Sequence, residues 1–135
     1  MYIFVYKKQL VPFAKVCILA LFIISGIQKI LNFSSVANAM DAKGIFLAPY
    51  ALVAAIIIEI GASLAILFNY KARIAALSLI IFMVVITIIY HDFWNYADSA
   101  MQLQRIQFIK NLSITGALVM LYCFSYNSSE RHYNR

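Results

Sequence analysis

The chain has 135 residues, 64% of them hydrophobic and 12% charged, with a formal net charge of +6. Soluble domains carry about 25% charged residues, so the composition excludes an ordinary water-soluble fold and leaves room for one membrane domain spanning the whole chain. The positive charge does not mark a nucleic-acid partner, because no block of five or more basic residues exists and the cations stand in ones and twos beside apolar runs.

Residues 1–9 form an aromatic and basic leader, with Tyr2, Phe4, Tyr6, Lys7 and Lys8, expected to lie along the inner headgroup region. Pro12 marks the first turn of a helix over residues 13–31, where its missing N–H costs nothing. Lys7 and Lys8 before an apolar run, with Ala37-Asn38-Ala39 downstream, imitate a cleavable signal. A cut there would leave an overlong signal with Lys29 near its end, so the segment reads as retained. Ser25, Lys29 and Asn32 share one arc of the first helix, which therefore turns polar on that face near its end.

Residues 34–43 carry a helix signature of their own, with Ser34 as N-cap, an apolar stripe of Phe33, Val36, Ala37 and Met40, and Gly44 as the stop. A short interfacial helix fits this pattern. Residues 49–68 form the second membrane helix, about 30 Å long at 1.5 Å per residue. Its single charge, Glu59, falls near the middle, where a carboxylate costs roughly 2.5–3.5 kcal/mol unless it is neutral, hydrated or paired. Ala48, Ala55, Ala62 and Ser63 lie on the same side as Glu59, so this stripe is expected to face protein.

Asn69 to Arg73 is a tight turn that returns a third helix, residues 72–90, antiparallel to the second. This helix delivers His91 to the far surface, followed by the aromatic run Phe93, Trp94 and Tyr96 at headgroup level. Ser99 and Gln102 resemble a capping box opening a fourth helix near Ala100, with its membrane part over residues 106–124 and a polar, frayed tail from Tyr126. The expected fold is an all-α membrane protein: a four-transmembrane-helix antiparallel bundle with a short interfacial helix between helices one and two. Lys7, Lys8, Lys15, Lys71, Arg73, Arg131 and Arg135 gather at one end, which places both termini in the cytoplasm.

With that orientation the outer half of the bundle receives Lys29, His91 and Lys110 from three helices and the deeper Glu59 from the fourth. Lys29 or Lys110 can reach Glu59 through four methylenes, and Ser25 and Asn111 add polar groups nearby. The alternatives are that both lysines snorkel to headgroups, that His91 is a surface histidine beside Asp92, and that the Glu59 pair is structural. Cys17 and Cys123 form no C-x-x-C or Cys/His cluster, and no metal site or intrinsic cofactor is expected.

Five stretches in order carry a resemblance. They are Ser25-Gly26-Ile27-Gln28-Lys29-Ile30, Glu59-Ile60-Gly61, Lys71-Ala72-Arg73-Ile74-Ala75-Ala76, His91-Asp92-Phe93-Trp94, and Phe108-Ile109-Lys110-Asn111-Leu112 with Gly116. Together they resemble the DoxX family, in particular its YphA-like bacterial inner-membrane members, over about residues 13–124. The family's usual glycine pair in the last helix stands here as Gly116-Ala117. The resemblance implies a four-helix inner-membrane protein whose relatives work with redox partners, including a thiosulfate:quinone oxidoreductase subunit and partners of thiol-handling or superoxide-detoxifying enzymes.

Three functions follow as expectations. The first is a redox-associated accessory subunit, not an enzyme on its own, holding a quinone or similar small amphiphile near His91, Lys110 or Glu59 and served by a membrane or periplasmic partner. The second is a non-enzymatic scaffold, with homo-oligomers allowed, in which the ion pair is structural. The third and weakest is a solute or proton transporter working as an oligomer, since four helices are few and none is interrupted in the middle.

Overall fold

A computed structural model describes residues 2–133, with side chains described over residues 10–125. The expected placements of the leader side chains (Tyr2, Phe4, Tyr6, Lys7 and Lys8) and of Arg131 and Arg135 lie outside the described residues.

The first helix, α1, covers Tyr2–Leu31 and carries Pro12 in its interior. This corrects the expectation that Pro12 opens the helix. Proline's missing N–H removes one rung of the ladder, yet the helix continues through that gap. The short helix α2 covers Phe33–Ala42 and buries Ala37 and Met40, two members of the apolar stripe. Its N-cap is Asn32, not Ser34. The reason is that α2 has no free N-terminus: Asn32 N–H donates to the Gln28 carbonyl and Val36 N–H to the Asn32 carbonyl, each at 3.0 Å. Gly44 stops α2 at φ +78°, a left-handed conformation that a side chain would strain.

The third helix, α3, spans Ala48–Leu67 and begins with Pro49 in its first turn. It is not uniform. Ala48–Ile56 and Ser63–Leu67 are α-helical, but Ile57–Ala62 forms a π-helical segment, and Glu59 lies within it. A turn with Asn69 and Lys71 in left-handed conformations leads to α4, Ala72–Tyr90. A 3-10 turn at Phe93–Asn95 follows, and α5 then runs from Asp98 to Tyr133. α5 thus opens ahead of the expected capping box and its backbone stays helical past the expected fraying point.

The interior is narrow. Leu19 and Phe22 of α1, Ile66 of α3, Ala76, Leu79 and Met83 of α4, and Leu118 and Leu121 of α5 pack into one core. A second cluster joins Ala37 and Met40 of α2 to Ala48 and Leu52 of α3. Large apolar side chains cover the outside instead: Phe13, Ile74 and Leu112 are more than 60% exposed. In water such a surface would drive aggregation; against lipid it is the normal exterior. Among the described residues, four helices are long and apolar enough to cross a membrane.

The two ends of the bundle are fastened differently. At the hairpin end, Lys15 Nζ donates to Asn69 Oδ1 at 2.6 Å, and Arg73 donates to the Tyr122 hydroxyl at 2.9 Å with its guanidinium 4.9 Å from the ring centroid. At the α2 end, Lys43 Nζ donates to the Ile89 carbonyl at 3.4 Å and lies over the Tyr90 ring. Phe93 and Trp94 both meet Phe108 of α5 edge-on.

Candidate functional site

Glu59 is 2% exposed. It lies about 16 Å along α3 from Ala48 at 1.5 Å rise per residue, and its partners come from α1. Side chains lean toward the N-terminus of their own helix, so Lys29, close to the α1 end, extends back over Ser25 toward mid-depth. Its Nζ stands 3.0 Å from both carboxylate oxygens, donating to Oε1 and making an ionic contact with Oε2. It also donates to Ser25 Oγ at 2.5 Å, and Ser25 Oγ in turn donates to Glu59 Oε1 at 3.1 Å. The three groups close a small ring of charge-assisted hydrogen bonds in low dielectric, where such bonds are strongest.

Gly26 makes this approach geometrically available. A Cβ there would lie 2.6 Å from Ile60 Cγ1 and 3.7 Å from Glu59 Cβ, so only glycine lets the π segment come this close to α1. The π segment itself had no signal in the sequence apart from the carboxylate it carries; such turns are frequent at functional sites. Of the small stripe on α3, Ala48 and Ser63 are buried and Ala55 and Ala62 half-buried. Two buried polar atoms in this part of α3, Glu59 Oε2 and Ser63 Oγ, accept or donate no hydrogen bond.

The other candidate residues are placed elsewhere. Lys110 is exposed on α5, where the neighbouring Ser113 hydroxyl donates to its own helix at the Ile109 carbonyl. Asn111 is buried, and its carbonyl accepts from Thr115 Oγ1 at 2.8 Å. His91 is half-buried, with Nδ1 2.8 Å from Gln104 Oε1. The structure therefore joins Ser25, Lys29 and Glu59 and leaves Lys110 and Asn111 outside that ring.

His91 and Lys29 meet across a cavity of about 280 Å³ at the α2 end of the bundle. Val36, Ala39 and Met40 of α2 roof it, Leu52 and Ala55 of α3 form one wall, and Phe82, Ile86 and Tyr90 of α4, with His91 just past its end, form the other. An apolar chamber of about 150 Å³ holds benzene, so this one accommodates an aromatic ring with substituents. Lys29, His91 and Tyr90 are the residues with polar groups in its otherwise apolar lining, and a few polar residues in an apolar surround are the usual construction of a small-molecule site. No group of three His, Cys, Asp or Glu side chains that could hold a metal occurs among the described residues.

Fold and site together define a small integral α-helical membrane protein, with four candidate spans among the described residues and the Lys29–Glu59 ion pair inside the bundle. The DoxX family model matches residues 11–92, most of α1 through the start of the loop after α4, and the chain belongs to the DoxX family. It is 28% identical over 115 residues to the inner membrane protein YphA of Escherichia coli K12, covering 85% of this chain and 82% of that protein. It is 32% identical over 110 residues to the inner membrane protein YqjF of the same organism, covering 80% of this chain and 78% of the relative. No solved structure matches.

Proposed function

We propose that the chain is an inner-membrane accessory subunit whose cavity holds the head of a small, neutral, quinone-like amphiphile while a membrane or periplasmic partner exchanges electrons with it. The observation that carries this reading is the placement of Lys29 and His91 on one apolar cavity of about 280 Å³. Lys29 is the cavity's lysine, and Glu59 already neutralises it at 3.0 Å. An anionic head would therefore find no uncompensated charge there, whereas a neutral carbonyl or hydroxyl head needs none. Inner-membrane residence is supported by the two Escherichia coli relatives, both inner membrane proteins by name.

The basic residues support an orientation with both termini in the cytoplasm, because Lys15, Lys71 and Arg73 gather at the hairpin end. The cavity then opens in the outer half of the bundle. The test is to purify the protein from its native membrane, extract bound lipid and identify it by mass spectrometry. Stoichiometric quinone, lost in a variant whose cavity is filled by Ala55→Phe, is expected. Absence of quinone together with no thermal stabilisation by added quinones would rule the reading out.

A second reading, a scaffold or assembly protein able to form homo-oligomers, draws on the burial of Glu59, which lies outside the cavity lining. In that case replacing the pair by apolar residues leaves the cellular phenotype of the gene unchanged, which separates it from the first.

A further inference from the structure

We propose that the cavity reads the hydrogen-bond polarity of its occupant and takes a hydroxyl-bearing head, such as a hydroquinone, in preference to the matching carbonyl-only quinone. This inference rests on reading the cavity as an amphiphile site and says which form of the amphiphile it selects.

The argument starts from Gln104, which no motif marks. Its Oε1 lies 2.8 Å from His91 Nδ1. An amide oxygen only accepts, so with this amide orientation Nδ1 carries the ring proton and donates it. In the neutral imidazole Nε2 is then left with a lone pair and no proton. The histidine on the cavity wall thus asks for a donor from the occupant. Lys29, also on the cavity, adds no matching demand. An ammonium has three N–H groups and no acceptor; two are committed to Ser25 Oγ and Glu59 Oε1, and Glu59 Oε2 stands 3.0 Å away for the third.

A hydroquinone meets the histidine's demand, because its hydroxyl groups can donate. A quinone carries no O–H, and leaves Nε2 facing an acceptor or an apolar atom. One hydrogen bond won or lost in a sheltered site is worth roughly threefold to tenfold in affinity. Gln104 is a positioning residue in this scheme, acting through His91. The apolar walls (Leu52, Phe82 and Ile86) take the ring of either form equally, so the preference comes from the polar contacts alone.

The experiment measures binding of a short-chain benzoquinone, its hydroquinone and the hydroquinone dimethyl ether to the full-length protein in nanodiscs, anaerobically, by calorimetry. The hydroquinone is expected to bind roughly threefold to tenfold more tightly than the quinone, with the ether no better than the quinone. Gln104→Leu should erase the preference while keeping quinone binding, and Gln104→Glu, which still accepts from Nδ1–H, should retain it. Size-exclusion profiles check that each variant is folded. Equal affinities in the wild type, a tighter quinone, or a preference that survives Gln104→Leu would overturn this inference and leave the amphiphile site standing. Binding of none of the three probes would overturn the site itself.

Discussion

Gly26 of α1 lies directly against Ile60 in the π segment of α3: a methyl group on Gly26 would stand 2.6 Å from Ile60 Cγ1. The obstructing atom belongs to a β-branched side chain with one strongly preferred χ1 rotamer in a helix, so it swings clear only at a cost. Gly26→Ala should therefore cost about 1–3 kcal/mol through overpacking. Adding Ile60→Ala should recover much of the loss. Unfolding of the three proteins in the same detergent checks both statements, and a Gly26→Ala variant as stable as wild type would show that the helices are further apart than described.

Removing one half of the Lys29–Glu59 pair strands the other. Lys29→Met should lower stability by about 3–5 kcal/mol, since it leaves a buried carboxylate uncompensated. Lys29→Met combined with Glu59→Leu should lie much closer to wild type, because an apolar pair of similar volume is often as stable as a buried ion pair. A double variant as unstable as the single would mean that the charge itself is not what is lost.

Lys110 provides the matching control. It sits on the exposed face of α5, so Lys110→Gln should change stability by no more than about 0.5 kcal/mol. Measured beside Lys29→Met, it separates a lysine that holds the bundle together from one at its surface. A cost comparable to that of Lys29→Met would place Lys110 in the pairing after all.

Filling the cavity tests its independence from the ion pair. Ala55 lines the chamber and is half-buried. Ala55→Phe should abolish stabilisation by added quinones while shifting the protein's own stability by no more than about 1–3 kcal/mol. Thermal shift with and without ligand reads both quantities. Undiminished ligand stabilisation would put the binding site elsewhere.

The spans were legible because their boundaries are chemical. α4 occupies the expected residues 72–90, since an apolar run between Lys71 and His91 has only one way to lie in a bilayer. That Glu59 needs a partner was equally plain; which lysine supplies it was not. A soluble helix shows its inward face by its polar side, but a membrane helix is apolar on both faces, so the rotation of α5 that turns Lys110 outward left no trace in the residue pattern. Ser25 and Lys29 were recognisable as one polar arc, and the structure uses both. The π segment and the continuous ladder through Asn32 were hidden for another reason: each is a choice of backbone hydrogen-bond partner, which residue type scarcely influences.

The π turn also makes α3 unevenly tolerant of shortening. A wide turn is a helix with one residue to spare, so excising Ile57, an exposed position, lets residues 58–62 tighten into ordinary α-helix while the flanking halves keep their phase. Excising Val53 removes a residue that is not surplus and rotates everything on one side by about 100°. Membrane yields of the two deletion variants should differ accordingly, with the Ile57 deletion the better accumulated.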